Sequence, residues 1–209
     1  MSLLSIASLA LNFGAVNRAT FHQDGVTPES DTTHTVMLGW LAIDIACRHP
    51  ELGLNVGLVA QLALVHDMVE AAPYEYGGGD TNSFSISAED KAAKDAREKT
   101  AMAWLLSGPL ADHPHLATLV AMYECNGCPE ARFVRYMDKV TPKLTHALNG
   151  GAAFVKMGKS WRDVYVAHNV QIIALEQKYP EFADVVGAYL EAACDASEEA
   201  YFQRVSARI

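Results

Sequence analysis

Four side chains of this sequence carry the types and the setting that a metal centre needs: His34, the adjacent pair His66 and Asp67, and Asp138. Two imidazoles and two carboxylates form a mixed nitrogen and oxygen set. Such a set suits a divalent cation such as Mn²⁺, Co²⁺, Fe²⁺, Zn²⁺ or Mg²⁺ and does not choose among them. A cation held that way can turn a bound water into a hydroxide near neutral pH. Glu70 follows the pair at i+4 from His66 and i+3 from Asp67. If the run LVAQLALVHDMVEAA is one helix, the three share a stripe at the end of an apolar element, facing a cleft or the interior. Buried acids and imidazoles are costly unless paired or bound to metal. The bland alternative for His66 is a histidine capped by its neighbouring carboxylate near a helix end. For Glu70 it is a surface acid paired with a later lysine.

The elements that must position these groups read as helices, with little of the alternation that marks strands. The periodicity and its breakers place helices at about 2–13, 32–48, 54–72, from a Ser87 cap to about 106, then 112–123, 130–148, 161–178 and 181–204. Thr27-Pro28-Glu29-Ser30-Asp31 supplies cap chemistry for the second helix, and His49-Pro50 ends it. Tyr74 to Thr81 is a glycine-rich loop. The expected fold is all-α, one compact helical domain spanning residues 1–209.

Composition narrows the partners. The formal net charge is −9, with acids spread along the chain, which argues against a nucleic-acid polymer and leaves room for a small anion held by local cations. The apolar N-terminus lacks a basic leader, and the longest apolar stretch, 54–65, is too short for a bilayer, so a cytoplasmic protein is expected. Four irregularly spaced cysteines make no disulfide framework. Cys125 and Cys128 have knuckle spacing without a second pair and read as a turn with two thiols. His113 and His115 read as solvated, His146 as a residue that could face the same cleft as Asp138, and Lys143 as a possible phosphate neighbour. Lys139, one residue past Asp138, points away on an ideal helix. Trp40, Trp104 and Trp161 read as packing residues.

The segments VNRATFHQDGVTPESDTTHTVMLGWLA, ALVHDMVEAA, GGGDT and PEARFVRYMDKVTPKLTHALNGG together resemble the HD-domain phosphohydrolases, across about residues 14–170. Within that family the likeness is nearest the small branch containing the 5′-deoxynucleotidases. The resemblance implies a helical fold and His34, His66, Asp67 and Asp138 as ligands of one divalent ion. It makes Glu70 the residue that orients or deprotonates water, Asp80 of Gly79-Asp80-Thr81 a second acid, and Arg18 the cation that grips phosphate. Its implied substrate is a small phosphate monoester, most simply a nucleoside 5′-monophosphate, and it implies a homodimer or higher homo-oligomer. Two departures stand out. The stretch PYEYG lengthens the path from Glu70 to Asp80, leaving Glu75 at the customary distance. Ala19 stands where the deoxynucleotidases carry a tryptophan. Triphosphohydrolase action is the competing enzymatic reading, and a binding protein without catalysis is the reading from another class. Both Glu70 and Asp80 are retained, which argues against the latter.

Overall fold

The structure, a computed structural model, describes residues 2–79 and 88–207. Helices dominate: α1 (Ser2–Ala15), α2 (Asp31–Arg48), α3 (Val56–Val65), α4 (Ala88–Ser107), α5 (Pro114–Cys125), α6 (Pro129–Asn149), α7 (Ala152–Lys156), α8 (Trp161–Lys178) and α9 (Ala188–Ser206). This is the all-α class expected. The one addition is a small antiparallel pair, β1 (Asn17–Phe21) with β2 (Pro28–Ser30), in the register Asn17 to Ser30 and Phe21 to Pro28. From sequence that stretch reads as loop, because five and three residues carry too little alternation to register as strands.

Local chemistry explains the boundaries. Ser30 caps α2, its hydroxyl accepting from Thr33 N at 3.2 Å, and His49 before Pro50 closes it. Along α2 the buried positions His34, Leu38, Ala42 and Ile45 form one helical stripe. His34 therefore enters the interior because it tops the stripe that buries the apolar residues. Burying a side chain such as Leu38 contributes about 2–3 kcal/mol. On α6 the stripe Val134, Asp138, Thr141 and Thr145 is likewise buried, and Asp138 is carried inward with it. Pro142 has no N–H for the Asp138 carbonyl four residues back, so α6 lacks that helical bond at the turn bearing this acid.

α6 packs chiefly against α9, and also against α2 and α3. A continuous core runs from Leu9 through Leu38, Leu62, Leu105 and Phe133 to Leu190, with a smaller cluster of Phe154, Val164 and Tyr201 beside it. Among the described residues no helix is long and apolar enough to cross a membrane.

Three expectations need correction. The helix expected to run to residue 72 stops at Val65, and Met68–Ala71 forms a 3-10 turn instead. The last helix is preceded by a 3-10 turn (Pro180–Phe182) and a π turn (Ala183–Gly187). Trp40 is exposed and packs no core, although Trp104 stacks on Tyr76 with ring centroids 5.9 Å apart. The proposed Ser87 cap lies outside the described residues.

Candidate metal centre

Helices α2, α3 and α6 bring together the residues that the sequence singled out. One ligand atom from each of His34, His66, Asp67 and Asp138 lies within 4.8 Å of the others, although His34 and Asp138 are 104 residues apart in sequence. His34 Nε2 is 2.9 Å from Asp138 Oδ1, and His66 Nε2 is 2.9 Å from Asp67 Oδ2 and 3.9 Å from Asp138 Oδ1. Both imidazoles are buried, with ring centroids 5.3 Å apart.

The break in α3 is part of the construction. The Ala63 carbonyl accepts from His66 Nδ1 at 2.9 Å, which fixes the proton on Nδ1. Nε2 then carries the lone pair toward the carboxylates, the arrangement metal-bound histidines use. That nitrogen is buried 2.9 Å from Asp67 Oδ2, and an ionised carboxylate has no hydrogen to donate to a lone pair, so the neutral imidazole finds no donor there among the described residues. A buried acceptor of this kind is costly to leave unmet. The donor set and this orphaned nitrogen fit a divalent cation.

The electrostatics agree. Burial alone would raise the Asp67 carboxyl, yet His66 and Arg18 hold it below its usual range. Asp138 is buried too, and Lys139 followed by His34 brings it well below the ordinary carboxylate value. For His66, burial pulls the imidazole down, but Asp67 and Asp138 outweigh it and raise it. The carboxylates thus stay ionised and draw positive charge to this point, whether a proton or a metal.

Arg18 reaches the cluster from β1. Its Nη1 donates to Asp31 Oδ1 at 2.9 Å and to Asp67 Oδ2 at 3.0 Å. The strand pair makes this possible: Asp31 N donates to Val16 O, which ties β1 to the start of α2. Asp31, fully buried in the first turn of α2, was missed in the sequence, where nothing local links it to Arg18. Ala19 follows on the same strand.

Glu70 is placed differently from the expected helical stripe. It sits in the 3-10 turn, its N bonded to Asp67 O at 2.9 Å, three residues past Asp67 on a helix whose i and i+3 side chains eclipse. Its side chain lines a cleft with Gly77, Gly79, Lys94, Arg97 and Glu98, while the four converging residues are not in that lining. Gly79 N bonds the Glu70 carbonyl at 2.9 Å. Glycine is required in this loop: a Cβ on Gly78 would lie 1.6 Å from Ala72 O. Glu75 is exposed on the 3-10 turn Tyr74–Tyr76. Asp80 lies outside the described residues.

Lys139 corrects another expectation. Although it follows Asp138 directly, its Nζ reaches back to Asp138 Oδ2 at 2.7 Å. Tyr123 of α5 also borders the centre, its ring meeting His66 edge-on at a 6.0 Å centroid distance. Arg135 covers the Tyr123 ring, its guanidinium carbon 4.2 Å from the centroid. Arg135 had a legible signal, since it precedes Asp138 by three residues and Lys139 by four on one helix face. His146 does not join the ligands; it packs on Phe154, ring centroids 4.2 Å apart.

No curated protein matches this chain. A solved structure described as a predicted metal-dependent phosphohydrolase from Magnetospirillum magnetotacticum is similar, with a TM-score of 0.68 and 22% sequence identity. The likeness covers 95% of this chain and 93% of that one. At that identity the likeness is one of fold. The sequence pattern of the family described as HD domain matches residues 14–178 and so takes in Arg18 and all four converging side chains. Fold and sequence pattern therefore agree, and the chain belongs to the HD-domain family.

Proposed function

We propose that this protein is a metal-dependent phosphohydrolase that cleaves a small phosphate monoester, a nucleoside 5′-monophosphate, to the nucleoside and phosphate. The observation that carries the reading is the convergence of His34, His66, Asp67 and Asp138 around a buried, unsatisfied imidazole nitrogen. Membership of the HD-domain family supports it, as does a neighbour in fold described as a predicted metal-dependent phosphohydrolase. A divalent ion held by these four would supply positive charge that polarises a phosphate oxygen and acidifies water.

The chain's own groups do the rest. Arg18, held at the edge of the cluster by Asp31 and Asp67, presents its guanidinium to the phosphate and offsets its charge. Glu70 orients the attacking water and takes up its proton, and Asp80 gives a proton to the leaving 5′-oxygen. The buried walls of α2 and α6 keep bulk water away and strengthen each of these charge interactions.

The test is to load the protein with Mn²⁺, Co²⁺, Fe²⁺, Zn²⁺ or Mg²⁺ in turn and supply nucleoside mono- and triphosphates, reading free phosphate and tripolyphosphate separately. Phosphate release from monophosphates is expected. Tripolyphosphate release would replace the monoesterase reading with triphosphohydrolase action, and no hydrolysis with any metal would leave a binding protein. Glu70→Ala is expected to keep the metal and lose about 10²–10⁴-fold in turnover; full activity in that variant would remove Glu70 from its role.

A further inference from the structure

Beside the Asp138 carboxylate lies a second cleft, whose lining does not include His34. It is lined by Tyr123, Arg135, Asp138, Lys139, Leu175, Lys178 and Tyr179 and holds about 320 Å³. Asp138 is the shared wall: Oδ1 faces the two histidines and Oδ2 receives Lys139 Nζ. Three of the cleft's seven lining residues are cations, in a chain whose formal net charge is −9. Such a local reversal of sign marks where an anion is drawn in.

The cations are differently held. Arg135 spends Nη2 on Tyr123 O at 3.0 Å and on Glu124, and its guanidinium carbon sits over the Tyr123 ring. Its Nε is buried with no hydrogen-bond partner among the described residues. A donor left so is costly, and an acceptor entering the cleft would satisfy it. Lys178, in the last turn of α8, is exposed, its Nζ 5.2 Å from the centre of the Tyr179 ring. Lys139 is held at the cleft by Asp138, its Nζ 2.7 Å from Oδ2. Among the described residues Asp138 pairs with Lys139 and Glu124 with Arg135, and no ion pair involves Lys178. Lys178 thus brings a charge to the cleft mouth.

We propose that this cleft binds a second anionic group of the substrate, so that Arg135 and Lys178 select phosphate esters bearing two anionic groups over simple monoesters. The proposal rests on the phosphohydrolase reading for the first phosphate, and it narrows the substrate class within that reading. With the ester phosphate at the metal centre, Lys139 stands between the two anions and counters their mutual repulsion. The second group is a phosphate or a carboxylate, since both offer oxygens to a guanidinium Nε–H and an ammonium.

The experiment compares matched pairs on the metal-loaded full chain: adenosine 5′-monophosphate against adenosine 3′,5′-bisphosphate, and ethyl phosphate against phosphoglycolate. The second anionic group is expected to lower KM about tenfold, the worth of one added charge-assisted hydrogen bond. Lys178→Gln and Arg135→Gln should each erase that advantage and leave the singly anionic partners unchanged, and added salt should shrink it in the wild type. An advantage in both pairs means that the cleft reads charge; one in the bisphosphate pair alone means that it reads phosphate. Absence of any advantage in the wild type, or its survival in both variants, overturns the proposal. Calorimetric titration of the same four compounds runs alongside. If no ester is hydrolysed, the reaction assignment fails while the binding comparison still decides the cleft. Thermal melts of Arg135→Gln separate lost recognition from lost folding, and Lys178, being exposed, carries the comparison if Arg135→Gln does not fold.

Discussion

His146 lies two turns past Asp138 on α6 and offers the sharpest thermodynamic test of this core. It is 5% exposed, stacks on Phe154, and leaves Nδ1 without a hydrogen-bond partner among the described residues. Burial, then the Lys143 ammonium and His168, pushes its pKa from 6.5 down to about 3. Folding therefore holds this ring neutral, while the unfolded chain protonates it near its ordinary value. The contribution is complete above about pH 6.5 and is lost progressively as pH falls toward about 3. Between about pH 7 and pH 5 the unfolded state gains most of one proton over one and a half units, which costs the fold about 2 kcal/mol. For a chain of this size that is roughly 4–8 °C in Tm. His168 is buried as well and lowered to about 3, with Nδ1 2.8 Å from Glu198, so the wild type should lose more than His146 alone explains. The measurement is urea denaturation of wild type and His146→Leu at both pH values. The variant's loss between them should be smaller by about 2 kcal/mol, whatever its absolute stability. Equal losses in the two proteins would show that His146 is not held neutral and would refute the reasoning.

Other perturbations address separate parts of the structure. A divalent metal at about a hundred times its Kd should stabilise the wild type by about 2.7 kcal/mol, and Asp67→Ala should abolish that gain in thermal melts; an undiminished gain would place the metal elsewhere. Because Asp67 and Asp138 raise the His66 pKa, proton and metal compete there, so metal affinity by calorimetry should weaken as pH falls through the neutral range. Ser30→Ala removes the acceptor for Thr33 N and should cost about 1 kcal/mol in urea denaturation; no cost would mean that the α2 cap is idle. Gly78→Ala places a Cβ 1.6 Å from Ala72 O and should displace the loop that bonds Glu70 through Gly79, lowering turnover while a metal-loaded melt still shows binding.

What could be read in the chain and what could not divides along a physical line. His34 and Asp138 lie on the apolar stripes of their helices, and a stripe is a local property, so their inward direction was legible before any contact was known. The cap at Ser30 and the stop at His49-Pro50 are equally local. Arg18 with Asp31 was not legible, because that pair depends on a two-strand ribbon of eight residues in total, too short to show a period. The end of α3 at Val65 was hidden for a different reason. Residues 66–72 have no breaker before Pro73, and the turn coincides with a side-chain bond, His66 Nδ1 to Ala63 O, that competes with regular helix continuation. Lys139 shows the limit of angular rules. At i+1 its Cβ leaves the Asp138 face, yet its four-carbon stem lets Nζ return to Oδ2. Angular periodicity locates short side chains well and long ones poorly. The converging His and Asp set was pointed to by residue type and by the family resemblance, whereas the meeting of Arg135, Lys139 and Lys178 at the second cleft emerged only from the folded geometry. If those long cations choose the substrate, specificity in this protein is written in the class of residue that periodicity reads least well. Lys178→Gln tests that division directly: it should alter which esters are preferred without altering metal binding, because Lys178 lies outside the convergent set that holds the metal.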